Sequence, residues 1–205
     1  MNSALWVTYV TAILLMMSTP GPSQLLMLSN SLSNGFRRSL ATAAGDLSAN
    51  VLQMLAAGLG IGAIVIASET AFTVIKWAGA IYLIYMGIMR IRRAGGSALS
   101  PNKPASIGNL WMQGFVTSAA NPRAVVFFAA LFPQFIDPAY DFARQFAILS
   151  VTYLVIDGTF LTCYGSGASL IARHLTLTSR KWLDRFAGTF LVAAGGLLLT
   201  RSIPR

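Results

Sequence analysis

The chain has 205 residues, of which 55% are hydrophobic and only 10% are charged, and its formal net charge is +9. Soluble domains carry about 25% charged residues, so this composition predicts a polytopic membrane protein. The positive charge does not indicate a nucleic-acid partner, because the basic residues stand at the ends of apolar segments, where membrane topology places them. With one cysteine, Cys163, an intramolecular disulfide is excluded.

Six apolar stretches approach or exceed the roughly 20 residues with which a helix crosses a bilayer. In chain order they are residues 4–31, 40–67, 70–91, 107–132, 142–172 and 182–203. The first is interrupted by Thr19, Pro20, Gly21 and Pro22, which weaken or break a helix. Freed backbone groups are costly in lipid, so this break predicts a wet cavity or a covering of protein at membrane depth. A five-span alternative would end the first segment at the break.

The fourth segment carries a second break at Asn121, Pro122 and Arg123. Proline is frequent in membrane helices, so a simple packing kink is one interpretation. The other is a ligand site, because freed backbone beside a cation suits a carboxylate, and half-helix N-termini add partial positive charge. After the first break, Ser23 and Gln24 could offer neutral hydrogen bonds to a substrate.

Two acidic residues lie deep inside predicted spans, away from the segment ends. Asp46, Asn50 and Gln53 follow the spacing i, i+4, i+7 and therefore share one helix face. This face is either a transport pathway or a structural hydrogen-bond network between helices. Asp157 lies in the fifth segment and is a candidate proton carrier. It lies level with Arg123, so the two form either a fixed ion pair or one that opens when substrate or proton arrives.

Two tyrosines flank Asp157 along the fifth segment and are candidate substrate contacts. Tyr153 lies one turn before Asp157, and Tyr164 lies two turns after it.

The two halves of the chain repeat one pattern: a broken helix, an acid-bearing helix and a glycine-bearing helix. Pro22 corresponds to Pro122, and Asp46 corresponds to Asp157. In the third helix of each half, the matching glycines are Gly79 with Gly188 and Gly87 with Gly196. Because three spans is an odd number, the halves must be inverted relative to each other, which is typical of transporters. We therefore expect one transmembrane domain, residues 1–205, with repeats 1–93 and 107–205 and a linker 94–106.

The basic residues near segment ends predict the orientation. One side of the six-span arrangement holds ten of them: Arg37, Arg38, Arg90, Arg92, Arg93, Lys103, Arg173, Arg180, Lys181 and Arg185. The other side holds four: Lys76, Arg144, Arg201 and Arg205. The richer side is expected to be cytoplasmic, which places both termini outside.

Several short motifs together resemble the LysE/RhtB family of bacterial amino-acid exporters. They are Thr19-Pro20-Gly21-Pro22, Gly45-Asp46, the stretch KWAGAIYL that begins at Lys76, Asn121-Pro122-Arg123, Phe127-Phe128 and Phe132-Pro133-Gln134-Phe135. The resemblance implies an all-α transporter of the bacterial plasma (inner) membrane that exports amino acids or close derivatives by proton antiport. Its partners would be an amino acid, protons and lipid, with no enzymatic activity and no cofactor.

The chain departs from the family pattern at two places. Ser23 and Gln24 stand where members often have Asn or Asp, and Arg123 stands where they often have Lys. A specific substrate therefore cannot be carried over from a relative. Two intramembrane acids beside one arginine slightly favour a neutral amino acid. The coupling ratio and the oligomeric state, including a homo-oligomer, stay open.

Three other functions compete with amino-acid export. A divalent metal-ion transporter needs several oxygen ligands, or His and Cys ligands, and the spans offer few. An intramembrane enzyme needs a nucleophile with a base, or a metal site, and the one histidine, His174, is predicted in a loop. A membrane scaffold would need neither the paired breaks nor the buried acids.

Overall fold

The computed structural model describes residues 3–60, 69–95, 105–172 and 177–200, and these residues contain helices and no strand. The α-helices are α1 Ser3–Ser18, α2 Pro22–Asn34, α3 Phe36–Gly58, α4 Glu69–Gly95, α5 Ile107–Ala119, α6 Pro122–Val126, α7 Phe142–Ala172 and α8 Leu177–Thr200. A π-helical turn, Phe127–Leu131, and a 3-10 turn, Phe132–Phe135, follow α6. The prediction of an all-α fold is confirmed for the described residues.

Both predicted helix breaks are present. The axes of α1 and α2 differ by 56° across the first break. The second break separates α5, which ends at Ala119, from α6, which begins at Pro122. Beyond it the fourth segment is less regular than predicted, because α6 has five residues before the π-helical turn and Pro133 then lies in the 3-10 turn.

The helix boundaries differ from the predicted segments in a few places. Helix α7 coincides with the predicted segment 142–172. Helix α3 begins at Phe36 rather than at residue 40, because Gly35, with φ 81°, reverses the chain directly after α2. The predicted ends at residues 67 and 203 lie outside the described residues. So do most of the linker 94–106 and four of the residues used for orientation: Lys103, Arg173, Arg201 and Arg205.

One described helix has the length and apolarity to cross a bilayer alone. It is the stretch Phe142–Ile171, with 30 residues and a mean hydropathy of 1.7. The bent pair α1 and α2 also qualifies if the two helices form one span. The search covers only the described residues, and the six predicted spans stay a prediction.

Exposed apolar side chains and buried acidic side chains distinguish the described residues from a water-soluble domain. Large apolar side chains cover the outside, with Leu59 75% exposed and Leu15 69% exposed, whereas Asp46 and Asp157 are each only 3% exposed. Acidic residues are almost never fully buried in soluble proteins unless paired. A lipid-facing exterior around a polar interior accounts for both observations.

Close glycine contacts join α3 to α5. A Cβ atom on Gly45 would overlap the carbonyl oxygen of Trp111, and one on Gly114 would overlap the carbonyl oxygen of Thr42. The two backbones therefore approach each other more closely than any residue with a side chain would allow, as is common between membrane helices. This packing fixes Asp46, one residue after Gly45, against the helix that ends at the second break.

Helices α4 and α8 make a similar contact. A Cβ on Gly87 would lie 2.5 Å from the carbonyl oxygen of Gly188, and one on Gly188 would lie 2.8 Å from that of Gly87. Gly196, which the repeat matches to Gly87, has no such neighbour within 4 Å. The glycine correspondence of the predicted repeat therefore does not extend to this contact.

An aromatic cluster packs α1 against the fourth segment and α7. The rings of Tyr9 and Phe135 lie with their centroids 5.0 Å apart, and those of Phe128 and Tyr153 lie 4.6 Å apart. The Tyr9 hydroxyl donates to the carbonyl oxygen of Leu149 at 3.1 Å. This cluster is an apolar region of the interior that lies next to the buried polar residues.

Candidate functional site

A small cavity lies where the first helix break meets the second. Its lining residues come from α1, α2, α3, α5, α6, α7 and the second break: Met16, Met17, Ser23, Gln24, Asp46, Asn50, Ser118, Asn121, Arg123, Ala124, Tyr153 and Asp157. It offers about 20 Å³ of room for the centre of a water molecule. That is space for about one water, so an amino acid does not fit in this conformation.

Asn50 joins the two buried acids. Its Nδ2 donates to Asp46 Oδ2 at 3.0 Å and to Asp157 Oδ2 at 2.7 Å. Its Oδ1 accepts from the Ser118 hydroxyl at 2.9 Å. An amide has two N–H donors and an acceptor oxygen, so one buried side chain ties α3, α5 and α7 together. Asp46 and Asp157, which lie in different halves of the chain, are brought to one place.

One carboxylate oxygen at this place has no partner. Asp46 Oδ1 is buried and accepts no hydrogen bond from the protein, while Oδ2 of the same group accepts from Asn50. A buried acceptor that is left unpaired costs free energy. Because Asp46 lines the cavity, this oxygen is available to a donor that enters it.

Gln53, on the same face of α3, serves the second break instead of the cavity. Its Nε2 donates to the carbonyl oxygens of Ser118 and Ala119, each at 3.3 Å. These carbonyls lie at the end of α5, where a helix leaves its last acceptors unpaired. The predicted pathway face is therefore divided, with Asp46 and Asn50 on the cavity and Gln53 capping a broken helix.

Arg123 bridges the two breaks. Its Nη1 donates to the carbonyl oxygen of Thr19 at 2.9 Å, an acceptor that the break in the first segment leaves free. A Cβ on Gly21 would lie 3.7 Å from the guanidinium carbon, so the guanidinium passes close over this glycine. The hydrogen bond of Arg123 thus goes to the backbone of the first break rather than to Asp157, although both side chains line the same cavity.

Side chains beside the breaks cap the freed backbone donors. Gln24 Oε1 accepts from the Gly21 N–H at 2.9 Å, and Asn121 Oδ1 accepts from the Arg123 N–H at 3.1 Å. Local capping of this kind satisfies the backbone where lipid supplies no partner. Of the predicted substrate contacts after the first break, Ser23 is a buried lining residue, while the Gln24 oxygen is already engaged.

The remaining predicted residues divide into two groups. Tyr153 lines the cavity. Tyr164 does not, because it lies about two turns further along α7 and is half-buried there. Pro20 is exposed, and Pro22 and Pro122 begin α2 and α6. Pro22 and Pro122 therefore act on the site through the starts of these two helices.

Four lining residues were not predicted: Met16, Met17, Ser118 and Ala124. A signal was available for Ser118, which lies one helical turn before Asn121 and so on the same side of the chain as it approaches the break. The methionines precede the first break, where any apolar residue fits the pattern of a spanning helix. Within the described residues, no three His, Cys, Asp or Glu side chains come together as a metal site would require.

Comparison with known proteins places the chain in a family. Residues 13–202 match the family described as LysE type translocator. The chain is 33% identical over 195 residues to the "Homoserine/homoserine lactone efflux protein" of Salmonella typhimurium, covering 94% of this chain and 95% of that protein.

Two membrane proteins without an assigned substrate are also similar. The chain is 33% identical over 204 residues to one from Vibrio cholerae, covering 98% of each chain. It is 28% identical over 162 residues to PA4757 of Pseudomonas aeruginosa, covering 76% of this chain and 75% of that protein. No solved structure is a significant match. The family match over most of the length, together with these relatives, shows that the chain belongs to the LysE type translocator family.

Proposed function

We propose that the protein is a secondary transporter that exports amino acids or close derivatives from the cytoplasm. One observation carries the proposal: Asn50 holds Asp46 and Asp157 together on a cavity that lies between two broken helices and also contains Arg123. Charged residues within a membrane domain mark substrate and proton pathways. The family membership and the efflux protein of Salmonella typhimurium, at 33% identity, agree with it.

The charges that line the cavity support proton antiport as the mode of transport. Two carboxylates face one guanidinium there, so one proton on the acid pair would balance the charge of the site. A substrate ammonium group that binds the carboxylates would compete with that proton, which is the requirement for exchange. A neutral, zwitterionic amino acid would leave the charge balance of the site unchanged, so we favour it over a cationic one.

An inverted repeat is supported by the helix contacts. The first helix of the bent pair, α1, packs on α7, and its counterpart before the second break, α5, packs on α3. If the two halves were exchanged, each of these contacts would take the place of the other. The α4–α8 contact would be unchanged, because it joins the third helices of both halves. We propose that the six segments span the inner membrane as two inverted repeats with both termini outside.

The experiment is export from bacterial cells that overproduce the protein. Cells are loaded with each amino acid in turn, beginning with homoserine because of the named relative, and intracellular accumulation is compared with that in cells carrying an empty vector. We expect lower accumulation of at least one amino acid. Accumulation equal to the control for all of them would contradict the proposal.

Asp157→Asn tests the site in the same assay. The substitution keeps the shape and the acceptor oxygen but removes the negative charge, so we expect export to fall to the empty-vector level. Asp141→Asn is the matched control, because Asp141 is exposed and its side chain caps the backbone of Arg144 at 2.7 Å, which asparagine also does. Membrane insertion of both variants is checked by immunoblot. Wild-type export by an inserted Asp157→Asn protein would make Asp157 structural.

A further inference from the structure

The cavity is lined by side chains of opposite charge that different helices supply. The carboxylates of Asp46 and Asp157 are held by Asn50 between α3 and α7, whereas Arg123 comes from α6 and reaches the first break. A free amino acid carries an ammonium group and a carboxylate group, both attached to its α-carbon. The cavity therefore has a complementary group for each end of such a molecule.

The acids and the arginine differ in how firmly they are held. Between the acids, Asn50 is 1% exposed and makes three side-chain hydrogen bonds to three other residues. Arg123, by contrast, is only half-buried, and the hydrogen bond recorded for its guanidinium goes to the Thr19 carbonyl. A neutral carbonyl is a weaker acceptor for a guanidinium than a carboxylate, which forms shorter, charge-assisted and often bidentate bonds.

Because the cavity is small, its lining must move before an amino acid can bind. With room for about one water molecule, the cavity cannot admit an amino acid while Arg123 stays on Thr19. Arg123 is less buried than most of the lining, so departure of the guanidinium from the Thr19 carbonyl would enlarge the cavity. The buried, unpartnered Asp46 Oδ1 is at the same time an open acceptor for an ammonium group.

We propose that Arg123 is the specificity residue for the substrate's α-carboxylate, which replaces the Thr19 carbonyl as the partner of the guanidinium. This inference rests on the proposed export function and narrows it to free amino acids, with amines, esters and lactones as poor substrates. When the guanidinium leaves the Thr19 carbonyl, the hydrogen bond that joins the two breaks is lost. Only a molecule with a carboxylate would therefore both bind to the site and open it.

The test is homoserine counterflow in proteoliposomes containing the full-length protein. Two analogues, each lacking one charged group, serve as competitors: homoserine lactone keeps the ammonium group, and 4-hydroxybutyrate keeps the carboxylate. For the wild type we expect each analogue to inhibit at least about tenfold more weakly than unlabelled homoserine. Inhibition by the lactone that equals inhibition by homoserine would overturn the inference without any variant.

Substitution of Arg123 tests the residue itself. Arg123→Gln should raise the half-saturating homoserine concentration about 10- to 100-fold and leave the affinity for the lactone unchanged, so that the discrimination between them disappears. Arg123→Lys should restore part of it, because the charge remains without the bidentate geometry. Arg144→Gln is the matched control, since Arg144 is exposed outside the cavity, and it should behave as the wild type.

The outcomes separate this inference from the export function. Arg123→Gln with an intact preference for homoserine over the lactone would overturn the inference and leave export standing. A wild-type protein that moves amines or lactones but not the free amino acid would do the same. A wild-type protein that moves neither amino acids nor their derivatives would contradict both.

Discussion

Replacing Asn50 by leucine is the sharpest test of the polar network, because this one amide joins three helices. Leucine is similar in size and fills the space, but it removes two bonds to carboxylates, at 3.0 and 2.7 Å, and one bond from the Ser118 hydroxyl, at 2.9 Å. Asp46 and Asp157 would then remain buried without this donor. We therefore expect the free energy of unfolding to fall.

The size of the loss can be bounded from membrane-protein values. Side-chain hydrogen bonds there average about 0.6 kcal/mol and reach about 1.7 kcal/mol. Bonds to ionised groups belong at the upper end, so the two carboxylate bonds and the hydroxyl bond together predict a loss of about 4 kcal/mol. For a chain of this length, each kcal/mol lowers Tm by about 2–4 °C, which gives a decrease of about 8–16 °C.

The assay is thermal unfolding of purified protein in a mild detergent, followed by circular dichroism. Asn109→Leu is the matched control, because Asn109 is exposed near the start of α5, and it should change stability by no more than about 0.5 kcal/mol. If Asn50→Leu unfolds at the same temperature as the control, the acids have other donors. The proposed role of Asn50 as the tie between α3, α5 and α7 would then be wrong.

Two further predictions concern the framework around the site. Gly114→Ala places a methyl group against the Thr42 carbonyl and should destabilise the protein by about 1–3 kcal/mol. The control is Gly167→Ala, where a Cβ meets nothing within 4 Å, and it should be neutral or stabilising. Equal melting temperatures of the two variants would contradict the close packing of α3 on α5. Tyr9→Phe removes only the bond to the Leu149 carbonyl and should cost about 0.6 kcal/mol with export in the cell assay retained. Loss of export with a normal melting temperature would assign the hydroxyl a direct part in transport.

The local features of the fold were predictable from the sequence. Proline removes a backbone donor and clashes with the preceding turn, so the breaks beside Pro20, Pro22 and Pro122 were found. Apolar runs end where charges begin, so α7 was predicted with its observed bounds. The face shared by Asp46 and Asn50 follows from helical periodicity alone, and its burial follows from the cost of polar groups in lipid.

The partners across the bundle were not predictable in the same way. Periodicity gives the direction of Asn50 on its own helix, but the contact with Asp157 depends on how α3 and α7 pack. Level depth favoured Asp157 as the partner of Arg123, whereas the structure gives it the Thr19 carbonyl. That acceptor is a backbone carbonyl that the first break leaves free, so no residue type in the sequence marks it.

Gln53 and Gln24 illustrate the same limit. Both were predicted to face the transported molecule, because a polar side chain in a span suggests a pathway. In the structure, Gln53 donates to backbone carbonyls and Gln24 accepts from a backbone N–H, and in each case a helix break leaves these groups without a helical partner. A broken helix in lipid needs such caps, and the sequence does not separate a capping amide from one that meets a substrate.

The most direct test of the central claim is proton-coupled homoserine transport in proteoliposomes. Liposomes containing the purified protein are loaded with labelled homoserine, a pH gradient of either sign is imposed, and efflux is followed for the wild type and for Asp157→Asn. We predict that the wild type releases homoserine faster when the proton gradient is directed inward than when it is directed outward, and that Asp157→Asn matches protein-free liposomes. Release that is the same under both gradients, for homoserine and for every amino acid that the export assay identifies as a substrate, would contradict the account.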